Sequence, residues 1–206
     1  MKMKNQSKFF LCKKISNKYK NVWSAAKAFK FRSIRFQKQK TLKTSNFGKL
    51  LSNKQSLKFF YCNLKEKTFK KYLKIAIKSP LKTVDKFLSI LEKRLDIVLF
   101  RASFVFSLYQ AKQIVSHGHV FVNNRIVFNL SKKLKQFDLI KLKLQKTKIL
   151  KNIFLNFEKK IVEKTFPIHL EISFKNFTIC FLWQPSFFEL FFPIKYDFGL
   201  ITRFYK

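Results

Sequence analysis

Ser107-Leu108-Tyr109-Gln110-Ala111-Lys112-Gln113-Ile114-Val115-Ser116-His117-Gly118-His119-Val120-Phe121-Val122-Asn123-Asn124 changes local geometry three times. Ser107 followed three positions later by Gln110 is a capping box: the serine hydroxyl accepts from the Gln110 amide, and the glutamine side chain reaches back. Ala111, Ile114 and Val115 then recur at helical spacing. Gly118 can supply the left-handed stop, because it lacks the Cβ that penalises that conformation. Val120 and Val122 alternate as a half-buried strand, Asn123-Asn124 can take the positive φ of a tight hairpin, and Ile126 resumes the strand.

Upstream, Phe87, Leu91, Leu95, Val98 and Leu99 form one apolar stripe, which predicts a second helix. Before it, Phe47, Leu51, Lys54, Leu57, Tyr61 and Leu64 recur at three- and four-residue steps, and Phe69, Tyr72 and Leu73 continue that face. Ser79-Pro80 separates the two, since proline disfavours helical geometry in the residue before it. Downstream, Leu139 to Leu144 alternates with Lys141 and Lys143 as a strand. Residues 148–164 carry Ile149, Ile153, Phe157 and Ile161 at four-residue steps, predicting a helix. Strands are expected at Leu170/Ile172/Phe174, Thr178 to Trp183 and Leu200 to Tyr205. The expected class is α+β: a helical N-terminal region, a small helix-helix-turn-sheet domain and a C-terminal strand region. The expected segments are a basic arm at 1–45, a helical segment at 46–84, the helix-helix-turn-sheet domain at 85–147, and a C-terminal helix and strands at 148–206 that pack back on the helical segment.

Composition limits the partners. Lys and Arg number 45 against 10 Asp and Glu in 206 residues, a formal charge of +35. Yet 47% of the residues are hydrophobic, too many for a disordered polycation. A folded chain that meets a polyanion reconciles the two. Residues 1–65 contain no acidic residue, which fits a basic arm threading into nucleic acid, a cleaved import peptide or a solvated tail. Abundant Lys and Phe with only 3 Gly point to an AT-rich, organellar gene. Cys12, Cys62 and Cys180 match neither a disulfide framework nor a zinc ribbon, which fits a reducing compartment. The longest uncharged run, Asn176 to Phe188, is far short of the roughly 20 residues a membrane helix needs, so no membrane role is expected.

Together with Leu91-Glu92-Lys93-Arg94-Leu95-Asp96-Ile97-Val98-Leu99-Phe100-Arg101, the opening stretch resembles the RNA-binding domain of the small-subunit ribosomal protein S-four family. Gly48, Leu51, Lys54-Gln55, Tyr61, Glu66, Phe69 and Tyr72 are similar to that family's upstream helical segment, and Leu200 to Lys206 to its closing strand. The resemblance spans roughly 46–206. It implies a non-enzymatic constituent of the ribosomal small subunit that binds its rRNA, of mitochondrial type, with a plastid as the alternative. It also implies the S-five and S-three ribosomal protein families as neighbours, and mRNA where it threads into the subunit. No cofactor or metal is implied.

Candidate RNA contacts follow from the residues themselves. Ser107 opens a helix whose free amides and positive dipole end suit a phosphate. Lys112 lies one turn on, Gln113 can donate beside it, and His117, His119 and Asn123 add donors near the same helix. Arg94 and Arg101, seven apart, are expected to share a helix face. Arg94 and Asp96, two apart, are expected not to face each other. Lys54 and Lys58 complete the candidates. Three departures from the family pattern stand out. Leu108 replaces an Arg, Lys112 keeps charge but not the bidentate fork of an Arg, and Asn124 and Phe137 stand where Gly is usual. Phe137-Asp138 is expected to alter its loop. An RNA-modifying enzyme of the pseudouridine synthase kind, or a free RNA-binding factor, also carries this domain. Arg94-Leu95-Asp96 superficially resembles the synthase motif.

Overall fold

The computed structural model describes residues 45–105, 107–143, 167–192 and 196–205. The arm at 1–45, apart from Ser45, and the helix expected at 148–164 lie outside them. The fold is α+β, and the chain divides into two compact units within its second helix. One unit comprises residues up to Phe69 and again from Phe192; the other is Lys70–Phe191.

In the first unit, Ser45 caps α1 (Asn46–Phe60) by accepting from the Gly48 amide at 3.1 Å. The long helical face read from Phe47 to Leu73 is in fact two helices. Cys62 and Asn63 take positive φ (60° and 50°) and break it before α2 (Glu66–Ile77). Leu200 to Tyr205, expected as a strand, is instead a short helix, numbered α6 below (Phe198–Arg203). The Asp197 carboxylate caps it by accepting from the Leu200 amide at 3.1 Å. The β-branched and aromatic composition suggested extended chain, but a good N-cap and burial of Phe198 and Ile201 outweigh propensity here. α6 lies on α1, with Phe204 against Phe47 at 5.9 Å between centroids.

The second unit opens with α3 (Thr83–Glu92) and α4 (Leu95–Arg101). The single stripe expected across Phe87 to Leu99 is all buried, but the helix breaks at Lys93-Arg94, where Arg94 is extended (φ −77°, ψ 139°). The break is tied down by Leu95 N–H to Lys132 carbonyl (3.0 Å) and Leu134 N–H to Lys93 carbonyl (2.8 Å). α5 (Leu108–Ser116) follows, and then β1 (Val120–Val122), β2 (Arg125–Ile126), β3 (Leu139–Leu142), β4 (Leu170–Ser173) and β5 (Thr178–Phe181). They form one antiparallel sheet in the order β2-β1-β3-β5-β4. β4 and β5, drawn from the segment assigned to a separate C-terminal region, therefore extend the sheet begun by the hairpin. Only residues from 192 onward join the helical unit.

Val120, Val122, Ile140, Leu142, Ile179 and Phe181 point to one face of the sheet and pack with Leu95, Val98, Leu99, Ala111 and Val115. The alternate positions, including Phe121, Lys141 and Lys143, lie on the other face.

Candidate nucleic-acid interface

The helix reading at Ser107 is realised. Ser107 is extended and its Oγ accepts from the Gln110 amide at 3.3 Å, which fixes where α5 begins. Leu108, where an arginine was expected from the family pattern, is 1% exposed and anchors the first turn in the core. That residue cannot meet a phosphate. Lys112 and Gln113 follow on α5; Gln113 is exposed, and Lys112 Nζ lies 5.8 Å from the Tyr109 ring centroid.

The nine residues of α5 span about 14 Å, so Ser107 and the His117-Gly118-His119 corner mark opposite ends of one surface rather than one pocket. At the corner Gly118 has φ 74°, and the two imidazole rings lie parallel, 7° apart in plane and 6.2 Å between centroids. Lys112→Ala is expected to weaken RNA binding with an unchanged circular dichroism spectrum, because the residue is half-buried on α5 and the substitution removes chiefly its charged end. Unchanged affinity for small-subunit rRNA in a filter-binding assay would remove Lys112 from the interface.

Asn123 has a different occupation. With Asn124 it forms the hairpin turn at positive φ (50° and 63°). Its Nδ2 donates to Asp138 (2.9 Å) and its Oδ1 accepts from the Leu139 amide (2.9 Å). Asp138 in turn accepts from the Lys135 amide at 2.8 Å. Phe137 sits at φ 64° with its ring exposed, so the left-handed position usual for Gly is kept, with a phenylalanine in it. Asn123 thus staples two loops together; whatever it offers RNA comes after that.

The two arginines do not share an exposed face. Arg94 caps the start of α4 and is 3% exposed; its Nε and Nη2 donate to both oxygens of Asp96 (3.1 and 2.7 Å), itself 1% exposed. Spacing rules for helices do not apply, because Arg94 is not helical. Arg101 is 8% exposed and forks onto Glu92 (3.0 and 2.7 Å), which is fully buried, while Nη1 donates to the Phe191 carbonyl. In the other unit, Lys54 (3.2 Å) and Lys58 (2.6 Å) pair with Glu66, to which the Tyr205 hydroxyl also donates. Lys54 Nζ stands 3.8 Å over the Phe204 ring. All four cations are thus engaged with carboxylates of the fold. The exposed basic side chains of the hairpin region are Arg125, Lys133, Lys135, Lys141 and Lys143. Strand alternation already placed Lys141 and Lys143 outward; Arg125, on the two-residue β2, carried no comparable periodic signal.

One more group was invisible in the sequence. His169 is fully buried beside Phe181 (6.2 Å between centroids), and neither ring nitrogen has a hydrogen-bond partner among the described residues. Burial pushes its pKa down to about 4; Glu92 and Glu189 pull it up and Arg101 pushes it down.

The corner and α5 lie within residues 93–140, which match the family model described as "S4 domain". Residues 4–92 match the "Ribosomal protein S4/S9 N-terminal domain", so the likeness begins well before residue 46. The small ribosomal subunit protein uS4 of Acidiphilium cryptum is 31% identical over 168 residues, 82% of this chain and 81% of that protein. The chain belongs to the ribosomal protein S4 family. The uS4 of Cereibacter sphaeroides is 29% identical over 206 residues, 95% of this chain and 98% of its own length. The uS4m of Reclinomonas americana is 34% identical over 77% of this chain; the alignment spans 65% of that relative.

Proposed function

We propose that this S4-family chain is a non-catalytic, structural constituent of a ribosomal small subunit that binds and organises small-subunit rRNA. The observation that carries the reading is the α5 surface inside the S4-domain match: a serine-capped helix start, Lys112 and Gln113 along it, and a histidine corner at its end, with no acidic residue from Ser107 to Phe137. Such a surface grips folded RNA through phosphates and shape. A mitochondrial ribosome is the proposed setting, supported by the organelle-like composition and by a relative bearing the mitochondrial form of the name. Neighbours of the S-five and S-three families, and mRNA threading into the subunit nearby, belong to the same proposal.

The enzyme reading draws no support from its motif. Asp96 is 1% exposed and closed onto Arg94, so no base could reach its carboxylate.

Salt dependence tests the binding mode. Neutralising about 8 phosphates gives a slope of log affinity against log salt of roughly −5 to −7 on small-subunit rRNA. A slope near zero would contradict it. Sedimentation after a moderate-salt wash separates a structural subunit protein, which stays with the particle, from a transient factor, which leaves.

A further inference from the structure

Beyond the hairpin the chain exposes a large aromatic ring that is nonetheless held in place. Val127 is buried and its N–H donates to the Val120 carbonyl at 3.1 Å, anchoring the backbone between two outward side chains. Those are Ile126 and Phe128, 51% and 64% exposed. A Cβ placed on Gly118 would stand 3.0 Å from the Phe128 ring and 3.7 Å from Ile126. One edge of the ring, Cε1 and Cζ, therefore rests against the one residue in the corner without a side chain. The parallel His117 and His119 rings flank the same glycine. Ile126 is paired in register with Phe121, and Lys143 Nζ lies 4.6 Å over the Phe121 ring.

An exposed flat ring among cations, with no carboxylate from Ser107 to Phe137, is complementary to a ligand both aromatic and anionic. Nucleotides combine a π-face with a phosphate, and unpaired ones stack on aromatic side chains. We propose that Phe128, Ile126 and the two histidines around Gly118 form a stacking platform for an unpaired nucleobase of RNA, with Lys143, on the same face of the sheet, meeting its phosphate. This rests on the RNA-binding reading above and extends it from phosphate contact to base contact.

The probe is a single-stranded oligouridylate of about 12 nucleotides, within the range that single-strand binders cover, carrying one 2-aminopurine. With the full chain its fluorescence is quenched on binding. Phe128→Ala weakens binding about 5- to 100-fold and abolishes quenching, as expected for losing one stacked base, and Phe128→Trp restores both. The salt slope stays as in the parent, because no phosphate contact is removed. Circular dichroism confirms that the exposed substitution leaves the fold intact. Equal affinity and quenching in Phe128→Ala would overturn the platform. So would a variant that binds the oligonucleotide normally but loses a protein neighbour from the small subunit. If the parent chain still binds rRNA with a steep salt slope in either case, only the platform falls; a parent chain with no such slope overturns the underlying reading as well.

Discussion

Arg101→Ala is expected to destabilise the RNA-free chain by about 3–5 kcal/mol in urea unfolding, a larger loss than any single exposed Lys substitution should cause. The cost arises from what stays behind. Glu92 is fully buried and both of its oxygens accept from the Arg101 guanidinium, so removing Arg101 leaves a carboxylate in a low-dielectric interior with its forked partner gone. The Phe191 carbonyl loses its charged donor in the same step. Replacing both ends, Arg101→Met with Glu92→Leu, should recover most of the loss, because an apolar pair of similar volume needs no compensation. It should fall only slightly short of full recovery, because the Phe191 carbonyl loses its charged donor but belongs to an exposed residue where water can replace it. Arg101→Lys should recover little, since a single ammonium cannot reproduce the two parallel bonds. A parent-like urea midpoint for Arg101→Ala, together with weakened rRNA binding, would return Arg101 to the RNA contacts where sequence spacing placed it.

The same residues show why the sequence was legible in some places and not in others. Ser107 to Asn124 was readable because each instruction there is local: a cap three residues from its partner, a glycine stop, two asparagines at positive φ. Residues within a turn of each other determine that geometry, whatever the rest of the chain does. Arg94 and Asp96 defeated the same kind of reasoning. The rule that residues two apart do not meet holds inside a helix, whereas Arg94 is the extended residue before one. The Arg101–Glu92 pair lies nine positions apart across that break, and Phe191 is ninety positions from Arg101, distances at which no spacing argument operates. Lys54 and Lys58 meet Glu66 only across the break at Cys62-Asn63, which explains why they read as candidates for RNA rather than as partners of a carboxylate. In a chain this rich in Lys, a cation engaged in the fold and one left for a ligand look alike until the tertiary contacts are known. Phe128 is as hard to single out from the sequence: its ring is notable only because its edge meets Gly118.

His169 leads to the second large effect, a loss of stability between pH 6.5 and 4. The unfolded chain holds this histidine near its ordinary pKa of 6.5, and burial lowers it to about 4 in the fold, against the pull of Glu92 and Glu189 and with a further push from Arg101. Within that window the unfolded state binds the extra proton, so stability is fully present above pH 6.5 and falls as the solution is acidified. A shift of this size corresponds to about 3 kcal/mol at the acid end. Glu66 contributes lower down. Burial pushes its carboxyl up, but hydrogen bonds from Lys58, Tyr205 and Lys54 outweigh this and hold it at about 2, so its share is present above 4.5 and lost from there toward 2. The two windows barely overlap, which makes the histidine separable. Trp183 donates to Glu189, one of the charges acting on His169, and so offers a fluorescent reporter close to the event; Trp23→Phe removes the other tryptophan. In that background, urea midpoints measured from pH 7.5 to 3 should hold level down to about pH 6.5 and then decline, and His169→Leu should flatten the curve above pH 4.5 while leaving the lower limb in place. A decline of equal slope in His169→Leu would assign the acid sensitivity to the carboxylates instead. It would mean that the buried imidazole finds a stabilising acceptor once protonated.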